Sequence, residues 1–178
     1  SIDADDLAAV SEAVRGDYLT TGPTVGKFEA AFADFVGARH AIASNSGTAA
    51  LHLACMALDL KPGDAVIVPT VTFLATANAA RFCGADVVFA DVDPDNALLT
   101  AKTLEAAVAR AGTKYRLRAV LPVHVNGFVA DMTGIHEVAD RHGLEVIEDA
   151  CHALGSVHPA GNGVIARSGD CALSRMAC

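Results

Sequence analysis

An α/β fold is predicted from three features of this 178-residue chain. Short apolar runs of strand length alternate with helix-length segments, turn residues punctuate them, and the composition suits a parallel sheet covered by Ala-rich helices. Hydrophobic residues make up 52% of the chain and the mean hydropathy is +0.37, with Ala and Val in excess and no Trp, which is enough apolar material for one domain with a real core. The net charge of −8 comes with no basic cluster, which argues against a nucleic-acid face. That acidity is no bar to a phosphorylated ligand, because local backbone dipoles bind phosphate whatever the global charge. No apolar run approaches the roughly 18 residues of a membrane span, and the acidic start at Ser1–Asp6 resembles no leader peptide, so a soluble cytoplasmic domain is expected. The five cysteines lack metal-type spacing and four lie in apolar segments, as reduced core thiols would.

Residues 3–16 alternate as an amphipathic helix with Leu7, Val10 and Val14 on one face, and Gly16 stops it. Tyr18–Pro23 is a loop. A second helix at about 24–36 presents Phe28, Ala31, Phe32 and Phe35 at helical spacing as core residues and ends at Gly37. Strands are then expected at about 40–44, 65–69, 86–90, 118–123 and 144–148, separated by helices at about 48–59, 72–83, 101–111 and 131–142. Lys61–Asp64 and Asp93–Asn96 are turns. Such alternation implies right-handed crossovers and a mostly parallel sheet. Residues 155–169 read as loop with a short strand at 163–166, and Cys171–Cys178 opens another strand-like run.

Four loops at the carboxyl ends of these strands carry chemistry, and that sheet edge is where open α/β folds bind ligands. Ser44–Leu51 joins the first expected strand to an Ala-rich helix; small residues at Gly47 and Thr48 let an anion approach the first-turn amides, and the same residues also suit a plain Ser/Asn cap. Neither the Walker A nor the dinucleotide glycine pattern is present. Phe73 follows the second strand, placed in the first turn of the next helix, either to stack on a flat cofactor or simply to pack. His124 ends the fourth strand as a substrate contact or a satisfied loop histidine. Glu148 and Asp149 close the fifth, followed by His152. A buried carboxylate there needs a cation, a protonated pyridine nitrogen being one candidate, or serves as an acidic helix cap. No His or Cys pair has metal-ligand spacing.

Ser46–Leu53, Pro69–Phe73, Asp91–Asp93, Pro122–His124, Asp131–Met132 and Glu148–Gly155 occur in the order of a known family. With Tyr18–Pro23 beside them, they resemble the DegT/DnrJ/EryC1/StrS family of nucleotide-sugar aminotransferases that use pyridoxal 5′-phosphate (PLP). The resemblance covers essentially the whole chain. It implies a three-layer, mostly parallel sheet with helices on both faces, the truncated large PLP-binding domain of a fold type I aminotransferase. It further implies that Gly47 and Thr48 hold the cofactor phosphate, Phe73 stacks on the ring, Asp149 pairs with the pyridine nitrogen and His152 stands beside the cofactor. Thr20, Thr21 and His124 are implied as sugar contacts.

One member of the family pattern is missing. The Schiff-base Lys follows a Phe-Ser-Phe-His-Pro-like motif in the family, whereas this chain has only Lys27, Lys61, Lys102 and Lys114, none expected at the carboxyl edge of a strand. The chain therefore reads as the N-terminal portion of the large domain, residues 1–178, inactive alone. The implied parent moves an amino group, from glutamate by expectation, to a keto sugar nucleotide such as a UDP-linked 4-keto-6-deoxy-N-acetylhexosamine, and works as a homodimer. Two alternatives stay open: a PLP-dependent sugar dehydratase with His in place of that Lys, and a non-catalytic domain that binds cofactor or sugar nucleotide for regulation.

Overall fold

The structure, a computed structural model, describes residues 2–159, 165–171 and 174–178. Strand β1 (Asp64–Pro69) is an interior strand of a five-stranded sheet and is buried along its whole length. With β2 (Asp86–Ala90), β3 (Arg116–Val120), β4 (Glu145–Glu148) and β7 (Met176–Ala177), it forms the order β2-β1-β3-β4-β7, parallel at every pairing. Side chains alternate between its faces, as strand geometry requires. Ala65 and Ile67 pack with Leu104, Ala107, Ile135 and Val138, from helices α5 (Ala101–Ala111) and α6 (Met132–His142). Val66 and Val68 pack with Leu51, Ala54, Ala77 and Ala80, from α3 (Gly47–Ala57) and α4 (Leu74–Phe82). The result is the expected three layers, with helices on both faces.

The sheet order reverses beside β1. Helix α4 carries the chain from β1 outward to β2 on one face, and α5 returns it on the other face to β3, at β1's opposite side. The loops after β1 and β3 consequently leave in opposite directions and open a crevice at the strands' carboxyl ends. At the other end of β1, Asp64 is fully buried and paired with Arg116 and Arg118, a structural ion cluster that faces away from the crevice.

Several expectations are corrected. Residues 40–44 form no strand: the Ala43 amide is taken by Glu29 Oε1 at 2.8 Å, Ile42 is exposed, and no described strand runs alongside to complete a ladder. The early helices, α1 (Ala4–Arg15) and α2 (Pro23–Val36), form as expected, but their apolar faces stay open. Leu7, Val10, Val14, Phe28 and Phe35 are exposed, and α2 buries only Ala33 and Val36; Phe35 is met by the Arg167 guanidinium, 4.9 Å from its ring centroid, rather than by an apolar layer. Strand β3 stops at Val120; Val123 then meets Asp149 in a single parallel bridge. A hairpin of β5 (Val157–Pro159) and β6 (Ile165–Arg167) occupies part of the expected loop. The strand expected at 163–166 falls partly outside the described residues. Of the five thiols, all free, only Cys55 is fully buried. Among the described residues no helix is long and apolar enough to cross a membrane.

Candidate active site

The crevice is a cavity of about 460 Å³ lined from four directions. The start of α3 contributes Gly47, Thr48 and Leu51, and the loop after β1 adds Val71, Thr72, Phe73 and Ala75. The segment after β3 adds Val123–Asn126, and the turn after β4 adds Asp149, Cys151 and His152. Six residues singled out in the sequence thus meet at one opening, while Thr20 and Thr21, on the exposed loop before α2, lie outside its lining.

At the entrance of α3, Ser46 caps the helix by accepting the Ala49 amide at 3.2 Å. The amides of Gly47 and Thr48, one step earlier, meet no acceptor among the described residues. Unpaired first-turn amides and the positive end of the helix dipole together favour an anion. Gly47 is demanded by packing: a Cβ there would come within 2.6 Å of Cys151 Sγ, so a larger residue would push this helix start away from the β4 turn.

Asp149 is only 5% exposed. Its Oδ2 receives the Thr76 hydroxyl at 2.6 Å, and its Oδ1 the Cys151 amide at 3.4 Å. With that proton spent on Asp149, Thr76 accepts from Thr72 Oγ1 at 2.7 Å, so a relay from the α4 start aims the carboxylate. Cys151 is exposed as a residue, yet desolvation of its sulfur, then its hydrogen bond to Asp149 and that carboxylate's charge, push the thiol up to about 12. It is a neutral donor at any ordinary pH. Among the described residues no cation pairs with Asp149, and no lysine lines the cavity. A carboxylate held this way by neutral donors leaves a vacancy in charge that a ligand cation would fill.

His124 reaches the cavity wall but is fully buried, with both ring nitrogens engaged: Nε2 with Glu148 Oε2 at 3.1 Å, and Nδ1 accepting the Ala130 amide at 3.4 Å. It offers no free nitrogen to a ligand. His152 is exposed at the rim, and Phe73, the N-cap of α4 rather than part of its first turn, stands 73% exposed at the mouth. Sequence reading missed Thr72 and Thr76; their spacing of four across a helix start, after a strand, was the available sign. Asn126, held at φ +53°, was missed as well.

A family model, the DegT/DnrJ/EryC1/StrS aminotransferase family, matches residues 1–173. The chain belongs to the DegT/DnrJ/EryC1/StrS aminotransferase family. Within the DegT/DnrJ/EryC1/StrS group, it is 44% identical over 158 residues to the GDP-perosamine synthase of Caulobacter vibrioides, which covers 88% of this chain and 41% of that protein. Among solved structures, the aminotransferase from Psychrobacter cryohalolentis superposes with a TM-score of 0.80 at 34% identity, covering 89% of this chain and 39% of that one. Spr1654 from Streptococcus pneumoniae, in PLP-form, gives 0.84 at 26% identity, covering 95% and 44%. The chain spans about two fifths of the length of these relatives. Its fold is that of the fold type I aminotransferases.

Proposed function

We propose that this chain is the N-terminal, cofactor-holding portion of the large domain of a PLP-dependent aminotransferase acting on a keto sugar nucleotide. The amino donor is an amino acid, glutamate in this reading, and the acceptor a UDP-linked 4-keto-6-deoxy-N-acetylhexosamine. The name of the Caulobacter relative supports a nucleoside diphosphate sugar, there with GDP, and Spr1654, solved in PLP- and PMP-forms, supports the cofactor. The observation that carries the reading is Asp149, a buried carboxylate opening on a cavity beside a free helix N-terminus, supplied with donors but, among the described residues, no cation.

PLP, when bound, supplies an electron sink for chemistry at the carbon–nitrogen bond. The chain's own residues fit it without rearrangement of roles. Gly47 and Thr48 hold the phosphate through the α3 amides. Asp149 keeps the pyridine nitrogen protonated, Thr76 and Thr72 keep Asp149 aimed, Phe73 covers the ring and His152 stands at the rim. The lysine that would carry the cofactor covalently and shuttle the substrate proton comes from residues outside this chain. The chain alone is therefore inactive, and the full-length enzyme works as a cytoplasmic homodimer.

Pyridoxamine 5′-phosphate (PMP) tests this directly, since it has the same ring nitrogen and phosphate and needs no lysine. Titrated into the 178-residue chain, PMP should bind saturably. Asp149→Asn should weaken it by about tenfold or more, the effect of losing one charge-assisted contact. With PLP instead, borohydride should leave no pyridoxyl-lysine. Equal PMP affinity in wild type and Asp149→Asn overturns the reading.

A further inference from the structure

Glu148 ends β4 and Asp149 continues its extended backbone in the bridge to Val123, so the two side chains project to opposite faces, and Glu148 anchors a second polar cluster. Glu148, His124, Ser174 and His136 are each at most 9% exposed. Glu148 Oε2 faces His124 Nε2 at 3.1 Å, Oε1 receives the Ser174 hydroxyl, and the Gly169 amide adds a further donor. His136 Nε2 lies 3.1 Å from Ser174 Oγ.

The proton count has one consistent solution. His124 Nδ1 accepts the Ala130 amide, so its proton sits on Nε2 and goes to Glu148. Ser174 spends its single proton on Glu148 and must accept from His136. Every donor is used only if Glu148 carries two acceptor oxygens, that is, if it is ionised.

The consequences reach the cavity through His124. Its backbone amide donates to Asp149 O at 3.1 Å, and the Asp149 amide donates to Pro122 O at 2.8 Å. Regular pairing of β3 with β4 has already ended at Val120↔Val146, so these bonds, the Val123–Asp149 bridge and the His124–Glu148 contact are what fasten the two segments here. The Nδ1 bond to Ala130 closes the loop that brings Val125 and Asn126 to the cavity wall.

We propose that Glu148 is a positioning residue for the cofactor cavity: its charge fixes His124 as the Nε2–H form, and His124 then sets both the Asp149 backbone and the Val125–Asn126 wall. This rests on the proposed function only for its ligand-binding readout. In Glu148→Gln the side chain has one acceptor oxygen for the two side-chain donors and the Gly169 amide. Its amide group must oppose either Ser174 or His124, and relief at His124 puts a proton on Nδ1, against the Ala130 amide.

The test combines imidazole ¹⁵N–¹H spectra with PMP titration. Expected are an Nε2–H signature for His124 in wild type, loss of that single tautomer in Glu148→Gln, and PMP binding weakened about tenfold, one hydrogen bond's worth. Ser174→Ala, which keeps the charge, should hold the tautomer and bind PMP within about threefold of wild type, less than one such bond. A folded Glu148→Gln chain with His124 and PMP affinity unchanged overturns the proposal. So does a wild-type His124 protonated on Nδ1, a result that stands even if Glu148→Gln does not fold. A Ser174→Ala chain as impaired as Glu148→Gln reduces the role to packing and also overturns it. If wild type fails to bind PMP, the cofactor reading falls, while the tautomer of His124 still judges this one.

Discussion

Asp149 and Glu148 show how one dipeptide serves two environments. The strand's alternation sends one carboxylate into the cavity and the other into a closed network, and neither has a lysine or arginine partner among the described residues. The chain sequence made the pair conspicuous because an apolar run ended in two acids. It could not show that Thr76, 73 positions earlier, supplies Asp149's shortest hydrogen bond, since that contact exists only after α4 docks. Gly47 offers a second residue-scale test. Added bulk would collide with Cys151 Sγ, an overpacking that typically costs about 1–3 kcal/mol. Gly47→Ala should lower stability by that amount in urea denaturation, and Cys151→Ala in the same chain should restore most of it. The two positions are in contact, so their effects should be strongly non-additive. Simple addition would show that the close approach is not what requires glycine at 47.

Among the elements, helices announced themselves better than strands. The helix at 101–111 is legible to the residue, because Thr100 builds a capping box and Gly112 ends the pattern. The strand expected at 40–44 illustrates the limit: a helix satisfies its own backbone, whereas a strand exists only with a neighbour, and sequence reports propensity without the partner. The same reasoning separates α1 from its apolar stripe. The periodicity of Leu7, Val10 and Val14 correctly forecast a helix, capped by Asp3 and Asp6, yet the helix buries none of its residues. Since burial supplies most of the stabilisation a helix gives to its fold, α1 should contribute little here. Removing residues 2–16 should reduce the far-UV helical signal while leaving the urea midpoint of the remaining chain unchanged. A clear fall in that midpoint would mean α1 is docked in solution.

At the scale of the molecule, the reversal of sheet order beside β1 gathers four separated loops into one cavity, and the polar cluster behind it ties β4, α6 and Ser174, two residues before β7, together. Parallel order was readable from the alternation of elements, but the position of the reversal depends on which side each crossover takes, which pattern alone leaves open. The cluster makes acid the condition that should loosen this assembly. Burial, outweighing the attraction of Glu148 and Asp140, holds His136 below the usual imidazole range. Burial alone would raise Glu148, but hydrogen bonds from His124 and Ser174 prevail and hold it below the usual carboxyl range. Both folded-state values are depressed, so in each case the unfolded chain binds the proton first, and stability is lost as pH falls from the unfolded value toward the folded one. His136 should act first, from about pH 6.5 downward, and Glu148 should follow below roughly pH 4.3. Thermal midpoints measured from about pH 8 to about pH 2.5 should therefore decline in two stages. His136→Gln, which can still donate to Ser174, should flatten the upper stage specifically, so that its difference from wild type shrinks as pH drops through about 6. A difference independent of pH would show that His136 binds its proton equally in the folded and unfolded chain, so that burial in this cluster does not depress it.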